Sequence, residues 1–186
     1  MAGPRKLVLL GPPGSGKGTQ AAILAGELRV PHVSTGDMLR ESVADGTALG
    51  ERVAGIMNSG RLVDDDTMAE VVRERLAHAD ARSGFILDGY PRTLPQAETL
   101  DRILPAAGDG LDAVLVLEVP EEELVERLGG RGREDDSEAV VRERLWVYRE
   151  KTEPLVEYYR ERRALQTVDG DAPVEEVTAR ILEAIG

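Results

Sequence analysis

Residues 11–20, with the sequence GPPGSGKGTQ, decide the fold of this chain. They follow a short apolar run at residues 7–10 and precede a helix-like segment at residues 21–25, so the order is strand, glycine-rich loop and helix. This order is typical of a phosphate-binding P-loop, because glycines let successive backbone N–H groups point at one anion and the helix N-terminus adds positive potential. Lys17 supplies a mobile positive charge for the outer phosphates of a bound nucleotide.

The loop departs from the common P-loop pattern at one position. Gly18 stands where that pattern has a serine or threonine whose hydroxyl binds magnesium. Residues 85–89 consist of three apolar residues followed by Asp88 and a glycine. A carboxylate at the end of such a strand can orient Mg2+ or its bound waters beside a P-loop. An ordinary Asp-Gly turn has the same pattern, but the P-loop upstream favours the magnesium role. We therefore expect phosphate oxygens, waters and Asp88 to hold the ion, with no direct protein ligand.

Composition bounds the classes of function. The chain has 186 residues, which suits one domain with a substantial core. Its net charge of −12 disfavours binding to nucleic acid or to an anionic membrane surface. The absence of cysteine excludes disulfides and thiolate zinc sites. The N-terminal apolar run is too short for a signal or membrane-spanning segment, so we expect a cytoplasmic protein.

Short apolar runs alternate with amphipathic helical stretches along the chain, which predicts βαβ units around a parallel sheet. Residues 114–117 are apolar without alternation, as in a strand that is covered on both faces. The predicted strands are residues 6–10, 32–34, 84–87, 113–119 and 165–168. The fold class is therefore α/β.

Arginines form the second group of candidate site residues. Arg92 follows the strand that ends in Asp88, at the edge where open α/β sheets bind ligands. Helical periodicity places Arg144 on an apolar stripe and Arg142 on the opposite, solvated face. An inward arginine needs a partner, which is either a phosphate or a buried acid. His32 has no histidine or cysteine at metal-binding spacing, so we expect it to be structural or exposed.

Residues 11–20, STGDMLR at 34–40, GFILDGYPRT at 84–93 and the spacing to Arg144 together resemble the adenylate kinase family. The resemblance covers essentially the whole chain, and the Lys-Gly-Thr form of the loop is that family's own variant. It implies one domain, residues 1–186, with a P-loop three-layer αβα core and a five-stranded parallel sheet. It also implies a helical AMP-binding insertion at residues 34–63 and a short lid at residues 130–136. The implied reaction is reversible phosphoryl transfer from Mg-ATP to AMP, giving two ADP, in adenine nucleotide homeostasis.

The resemblance also implies site residues. The groups that act in catalysis would be Lys17, Asp88, Arg92, Arg127, Arg133 and Arg144, with Arg133 and Arg144 over the transferring phosphoryl group. The residues that bind ATP would be Gly14, Ser15, Gly16, Lys17, Gly18, Thr19, Arg127 and Ala172. The residues that bind AMP would be Thr35, Arg40, Arg61, Leu62, Val63, Gly89, Tyr90, Pro91, Arg92, Gln96, Arg133 and Arg144. No general base is expected.

The chain differs from long-lid relatives, because only a few residues separate Arg131 from the acids at 135–136. We therefore expect no structural zinc. A UMP/CMP kinase shares most of these motifs, but Thr35 and Gln96 match the adenine-selecting pattern. A GTPase-type switch or nucleotide sensor would carry an Asn/Thr-Lys-x-Asp motif, and the sequence has none. The expected ligands are ATP, AMP and ADP, the expected cofactor is Mg2+, and the expected assembly is a monomer.

Overall fold

The computed structural model describes residues 5–104, 110–130 and 137–186. Arg131, Arg133 and most of the predicted lid lie outside the described residues. The strands are β1 Lys6–Leu10, β2 His32–Ser34, β3 Phe85–Asp88, β4 Ala113–Glu118 and β5 Leu165–Asp169. The α-helices are α1 Lys17–Leu28, α2 Thr35–Ala44, α3 Ala48–Asn58, α4 Asp65–Leu76, α5 Leu94–Ile103, α6 Glu121–Gly130, α7 Glu138–Val147, α8 Pro154–Glu161 and α9 Val174–Ile185.

The five strands form one parallel sheet, as predicted, and their order in the sheet is β2-β3-β1-β4-β5. Strand β1 is central, and its Val8 lies opposite Leu87 of β3 and Val114 of β4. Strand β3 begins one residue later than predicted and continues to Asp88, because Asp88 pairs with β1 on one side and β2 on the other. The β1–loop–α1 unit therefore stands at the middle of the sheet.

Helices cover both faces of the sheet, so the core has three layers. Leu7 and Leu9 of β1 pack in a cluster with residues of α1 and α9. Val8 and Leu10 point to the other face, where they join a cluster with residues of α4, α5 and α8. Each fully buried leucine contributes about 1.5–3 kcal/mol relative to an exposed one. The uniform apolar character of the strands follows from this two-sided burial.

Helices α2 and α3 lie between β2 and α4 in the chain. Each has a side-chain N-cap: Ser34 Oγ accepts from the backbone N–H of Asp37 at 3.2 Å, and Thr47 Oγ1 accepts from that of Gly50 at 3.0 Å. The two helices pack closely at Gly50, where a Cβ would lie 2.0 Å from the carbonyl oxygen of Ser42.

None of the helices in the described ranges combines the length and the apolar character that a membrane span requires.

Candidate active site

A cleft of about 1090 Å3 lies at the carboxyl ends of β1 and β3. It brings together every predicted site residue in the described part of the chain except Tyr90. The side chain of Tyr90 is buried in the core, and its hydroxyl donates to the backbone carbonyl of Gln96 at 3.2 Å. Burial, together with the charge of Asp65, raises the pKa of Tyr90 to about 12. Tyr90 thus supports the cleft from behind.

Gly14 and Gly16 of the phosphate-binding loop have left-handed backbone conformations. Gly14 has φ +84°, and a Cβ there would lie 2.9 Å from Leu128 Cγ and 3.0 Å from the carbonyl oxygen of Leu124. Gly16 has φ +92° and would meet no atom within 4 Å, although it lines the cleft. Glycine is therefore required at both positions by the backbone, and at Gly14 also by the close packing of α6.

The loop presents its polar groups at the start of α1. Lys17 is the first residue of this helix, and its Nζ donates to the carbonyl oxygens of Gly11 at 2.7 Å and Pro12 at 3.0 Å. The hydroxyl of Ser15 is buried and accepts or donates no hydrogen bond among the described residues. A cation, a helix N-terminus and an unsatisfied hydroxyl in one loop make a site suited to an anion.

Asp88 lies at the end of β3, facing the loop. A Cβ on Gly18 would lie 3.6 Å from Asp88 Oδ2, and His32 Nε2 lies 3.4 Å from the same oxygen. Burial alone would raise the pKa of Asp88, but the hydrogen bond with His32 and the charges of Lys17 and Arg92 outweigh it and lower the pKa. Asp88 is therefore an ionised carboxylate at neutral pH.

His32 is a site residue that sequence reasoning missed. Its strand pairs with β3 so that Ser34 lies opposite Asp88, and residues two apart in a strand share one face. That register places the imidazole of His32 beside the carboxylate of Asp88. Metal-ligand spacing in the sequence does not detect such a contact, because the partner is a carboxylate on a neighbouring strand.

The turn after β3 is built around Gly89, which has φ +87°. A Cβ there would lie 2.7 Å from Thr35 Oγ1 and 3.1 Å from Arg92 Nη2. Arg92 Nε donates to the carbonyl oxygen of Gly89 at 2.8 Å, while Thr152 Oγ1 donates to the carbonyl of Arg92 at 2.8 Å. Thr152 ends a π-helical turn between α7 and α8. These contacts hold the Arg92 guanidinium at the cleft.

The predicted site arginines that lie in the described ranges converge on this cleft from different elements. Arg40 of α2 pairs with Asp37 at 2.5 Å, and Arg61 lines the cleft beyond α3. Arg144 of α7 is half-buried and lies beside Gly60, whose added Cβ would be 3.3 Å from Arg144 Cγ. Arg142 is exposed and pairs with Glu138, so the two arginines occupy opposite faces, as the periodicity predicts. A protein of net charge −12 thus concentrates cations in one place.

The far end of the cleft is formed by the segment before α9. The two terminal nitrogens of Arg127 in α6 each donate to the carbonyl oxygen of Gly170, at 3.3 Å. Gln20 of α1, a residue without a predicted role, is buried and donates to the carbonyl of Val174 at 3.0 Å. Ala172 lies between these two anchors and lines the cleft. Its backbone is therefore held at a defined distance from the phosphate-binding loop.

This fold and this cleft define a P-loop nucleotide-binding protein. A family model for adenylate kinase matches residues 9–164. The chain is 52% identical over 184 residues to the adenylate kinase of Thermobifida fusca, covering 97% of each chain. It is 55% identical over 184 residues to that of Thermus thermophilus, covering 97% of this chain and 96% of the relative. The chain belongs to the adenylate kinase family and is therefore a kinase.

Proposed function

We propose that this cleft carries out the reversible transfer of a phosphoryl group from Mg-ATP to AMP, giving two ADP, in adenine nucleotide homeostasis. The observation that carries the proposal is the convergence, on one cleft, of a phosphate-binding loop, the buried side chain of Gln96 and several arginines. The loop accounts for a triphosphate, and the residues around Gln96 account for a second nucleotide. Membership of the adenylate kinase family agrees with both.

The two nucleotides would occupy opposite ends of the cleft. The residues proposed to bind ATP are Gly14, Ser15, Gly16, Lys17, Gly18, Thr19, Arg127 and the backbone of Ala172. The residues proposed to bind AMP are Thr35, Arg40, Arg61, Leu62, Val63, Gly89, Pro91, Arg92 and Gln96. Tyr90 would act from the core through Gln96. Arg144, and Arg133 outside the described residues, would meet the transferring group.

The chemistry needs positioning and charge neutralisation more than proton transfer. An oxygen of the AMP phosphate, already ionised at neutral pH, bonds to the γ-phosphorus of ATP, and the bond from that phosphorus to the β,γ-bridging oxygen breaks. Two like charges 4 Å apart repel by about 1 kcal/mol in water and by about 4 kcal/mol at an effective dielectric constant of 20. Lys17 and the arginines offset this repulsion, since a guanidinium grips phosphate with two parallel hydrogen bonds and stays charged.

The residues around Gly18 fit a magnesium ion that arrives with ATP. Asp88 is ionised and faces the loop, and Gly18 leaves space for water beside Oδ2. Within the described ranges no group of three or more acids and histidines could hold a metal alone. Asp88 would therefore hold the ion through water, with phosphate oxygens as direct ligands. When bound, Mg2+ neutralises charge on the phosphates.

We further propose that residues 34–63 close over AMP and that residues 130–136 act as a short lid over ATP. Such closure would complete the ring of cations when both nucleotides are present and exclude water from the reaction. The position of Gly60 against the carbonyl oxygen of Val140, 3.1 Å from a Cβ built there, supports the first part. It marks a contact between the end of that segment and α7.

We also propose that the protein is a monomer and that it is cytoplasmic, and its surface and its composition support this. The large exposed apolar side chains of the described residues, such as Leu94, Val125 and Trp146, lie on different helices. Single exposed apolar residues are normal on a monomer. The absence of cysteine agrees with a reducing compartment.

The test is an acceptor survey. The protein is incubated with Mg-ATP and AMP, UMP, CMP or GMP in turn, and diphosphate formation is measured by chromatography. We expect ADP with AMP and little product with the others, and loss of turnover in Lys17→Met with the fold retained. Product mainly with UMP would identify a UMP/CMP kinase. No product with any acceptor would favour a non-catalytic nucleotide sensor.

A further inference from the structure

The side-chain amide of Gln96 is held at both of its ends. Gln96 is 2% exposed and lines the cleft. Its Oε1 accepts from the backbone N–H of Arg92 at 2.8 Å, and its Nε2 donates to Asp65 Oδ1 at 2.9 Å. Asp65 does not line the cleft, so it stands behind Gln96 as seen from the cleft.

These two contacts permit one orientation of the amide. A backbone N–H can only donate, and a carboxylate can only accept. Turning the amide over would oppose the Gln96 oxygen to the carboxylate of Asp65 and its NH2 to the N–H of Arg92. Each mismatch would leave buried polar groups unsatisfied, which costs about 1–3 kcal/mol. The orientation is thus set by two independent partners.

The fixed amide has one N–H and one lone pair left over. A donor next to an acceptor matches the edge of adenine, where N1 accepts and the 6-amino group donates. A 6-oxopurine has the opposite pattern, since its N1–H donates and O6 accepts, and it would need the amide reversed. A site whose polar groups are already fixed discriminates strongly against such an analogue.

We propose that Asp65 is a positioning residue that locks the amide of Gln96 and so makes the acceptor site selective for adenine over 6-oxopurines. This inference rests on the proposed use of AMP as acceptor. Asp65 is the first residue of α4, 31 positions from Gln96 in sequence, and it acts through Gln96 without touching the nucleotide.

The carboxylate of Asp65 is itself held in place. Its Oδ1 also accepts from Thr93 Oγ1 at 2.9 Å, and the same hydroxyl oxygen caps α5 by accepting from the backbone N–H of Gln96 at 3.3 Å. Tyr90 donates to the backbone carbonyl of Gln96. The start of α4 and the start of α5 are therefore joined at one oxygen atom, and the glutamine cannot move away from it without breaking these bonds.

A purely structural role is the competing explanation. Asp65 would then only tie α4 to α5, and its loss would lower stability and reduce activity with all acceptors alike. The lock predicts a different result, because a weakened lock changes the choice of base. The ratio of kcat/KM for AMP to kcat/KM for IMP separates the two explanations, since IMP differs from AMP at the purine 6-position and N1.

The experiment compares wild type, Asp65→Ala and Asp66→Ala with AMP and IMP, each with Mg-ATP. Asp66 is an exposed neighbour on the same helix and serves as the matched control. IMP is measured as a substrate and as a competitive inhibitor against AMP. In Asp65→Ala we expect the AMP-to-IMP ratio to fall about tenfold or more, KM for AMP to rise and KM for ATP to stay unchanged, because alanine offers Gln96 Nε2 no acceptor. Asp66→Ala should keep the wild-type ratio.

The outcomes are distinguishable. An unchanged ratio in a folded Asp65→Ala variant of an active enzyme overturns the lock and leaves the proposed function intact. A wild-type protein without activity towards AMP overturns the proposed function and this inference with it. If Asp65→Ala does not fold, Asp65→Ser removes the carboxylate while keeping a small polar group, and the same ratio decides. Restoration of the ratio in Asp65→Glu would support a role for the carboxylate itself.

Discussion

Gly14 and Gly16 of the phosphate-binding loop should respond differently to substitution by alanine. Gly14 packs against α6, whereas Gly16 has open space where its Cβ would lie and forms part of the cleft wall. Alanine at either position must adopt a left-handed backbone. Only at Gly14 must it also displace neighbouring atoms. Gly14→Ala and Gly16→Ala therefore separate the packing role of the loop from its ligand-binding role.

The magnitudes follow from these surroundings. A left-handed conformation costs an alanine about 1–2 kcal/mol. At Gly14 the Cβ would lie 2.9 Å from Leu128 Cγ and 3.0 Å from the carbonyl oxygen of Leu124, and such overpacking adds about 1–3 kcal/mol. Gly14→Ala should therefore lose about 2–5 kcal/mol of unfolding free energy, and Gly16→Ala about 1–2 kcal/mol. At roughly 2–4 °C per kcal/mol, Tm should fall by about 4–20 °C and about 2–8 °C.

The assay combines thermal unfolding, followed by circular dichroism, with steady-state ADP formation. Gly16→Ala should raise KM for ATP more than Gly14→Ala does, although it loses less Tm. The reason is that the methyl group at position 16 enters the space of the phosphates. Gly26→Ala is the matched control: Gly26 lies in α1 and would meet no atom within 4 Å, so alanine should be neutral or stabilise by about 0.5–1 kcal/mol. Equal losses of Tm at Gly14 and Gly16 would refute the packing argument. An unchanged KM for ATP in Gly16→Ala would refute the placement of the phosphates.

Two further predictions concern charged groups. Arg144→Lys should lower turnover by up to about 10³-fold with Tm close to that of wild type, because lysine lacks the planar guanidinium that binds a phosphoryl group through two hydrogen bonds. A fall in Tm without a fall in turnover would instead show that Arg144 forms a structural salt bridge. The pKa of Asp64 is lowered from 3.8, mainly because its carboxylate accepts from the backbone N–H of Thr67 at 2.8 Å. Its contribution to stability is thus present above pH 3.8 and lost as the pH falls through the lower, folded-state pKa. Asp64→Asn keeps the helix cap, so its Tm should depend less on pH than that of wild type between pH 5 and about pH 2, and parallel curves would contradict this.

The sheet was predictable from sequence because its signals are local. Each strand is a short apolar run bounded by turn residues, and the uniform burial of β4 was visible in its lack of alternation. Only strand ends differed. Strand β5 extends to Asp169, one residue beyond the prediction, because pairing with Glu118 of β4 continues the ladder there. Pairing between strands, which local patterns do not report, decides where a ladder stops.

Some residues of the cleft could be predicted from the sequence, because a P-loop requires particular residue types at particular spacings. The glycines, Lys17 and the turn at Gly89 need special backbone conformations or charges, and these leave marks in the sequence. Tyr90 shows the limit of that reasoning. It sits inside a recognised motif, yet its side chain packs in the core with Phe85 and Leu87, because the left-handed turn at Gly89 directs it away from the face that carries Asp88.

The amino-acid sequence by itself determined the phosphate-binding loop and the parallel sheet, since each depends on neighbours a few residues away. Gly18 is part of that local pattern, because a glycine there lacks the hydroxyl that the common P-loop offers to magnesium. The tertiary structure alone decided which groups meet. His32 reaches Asp88 across 56 residues, and Asp65 reaches Gln96 across 31. Such contacts depend on strand register and on how two helix N-termini pack together, and both are settled only when the whole core is assembled.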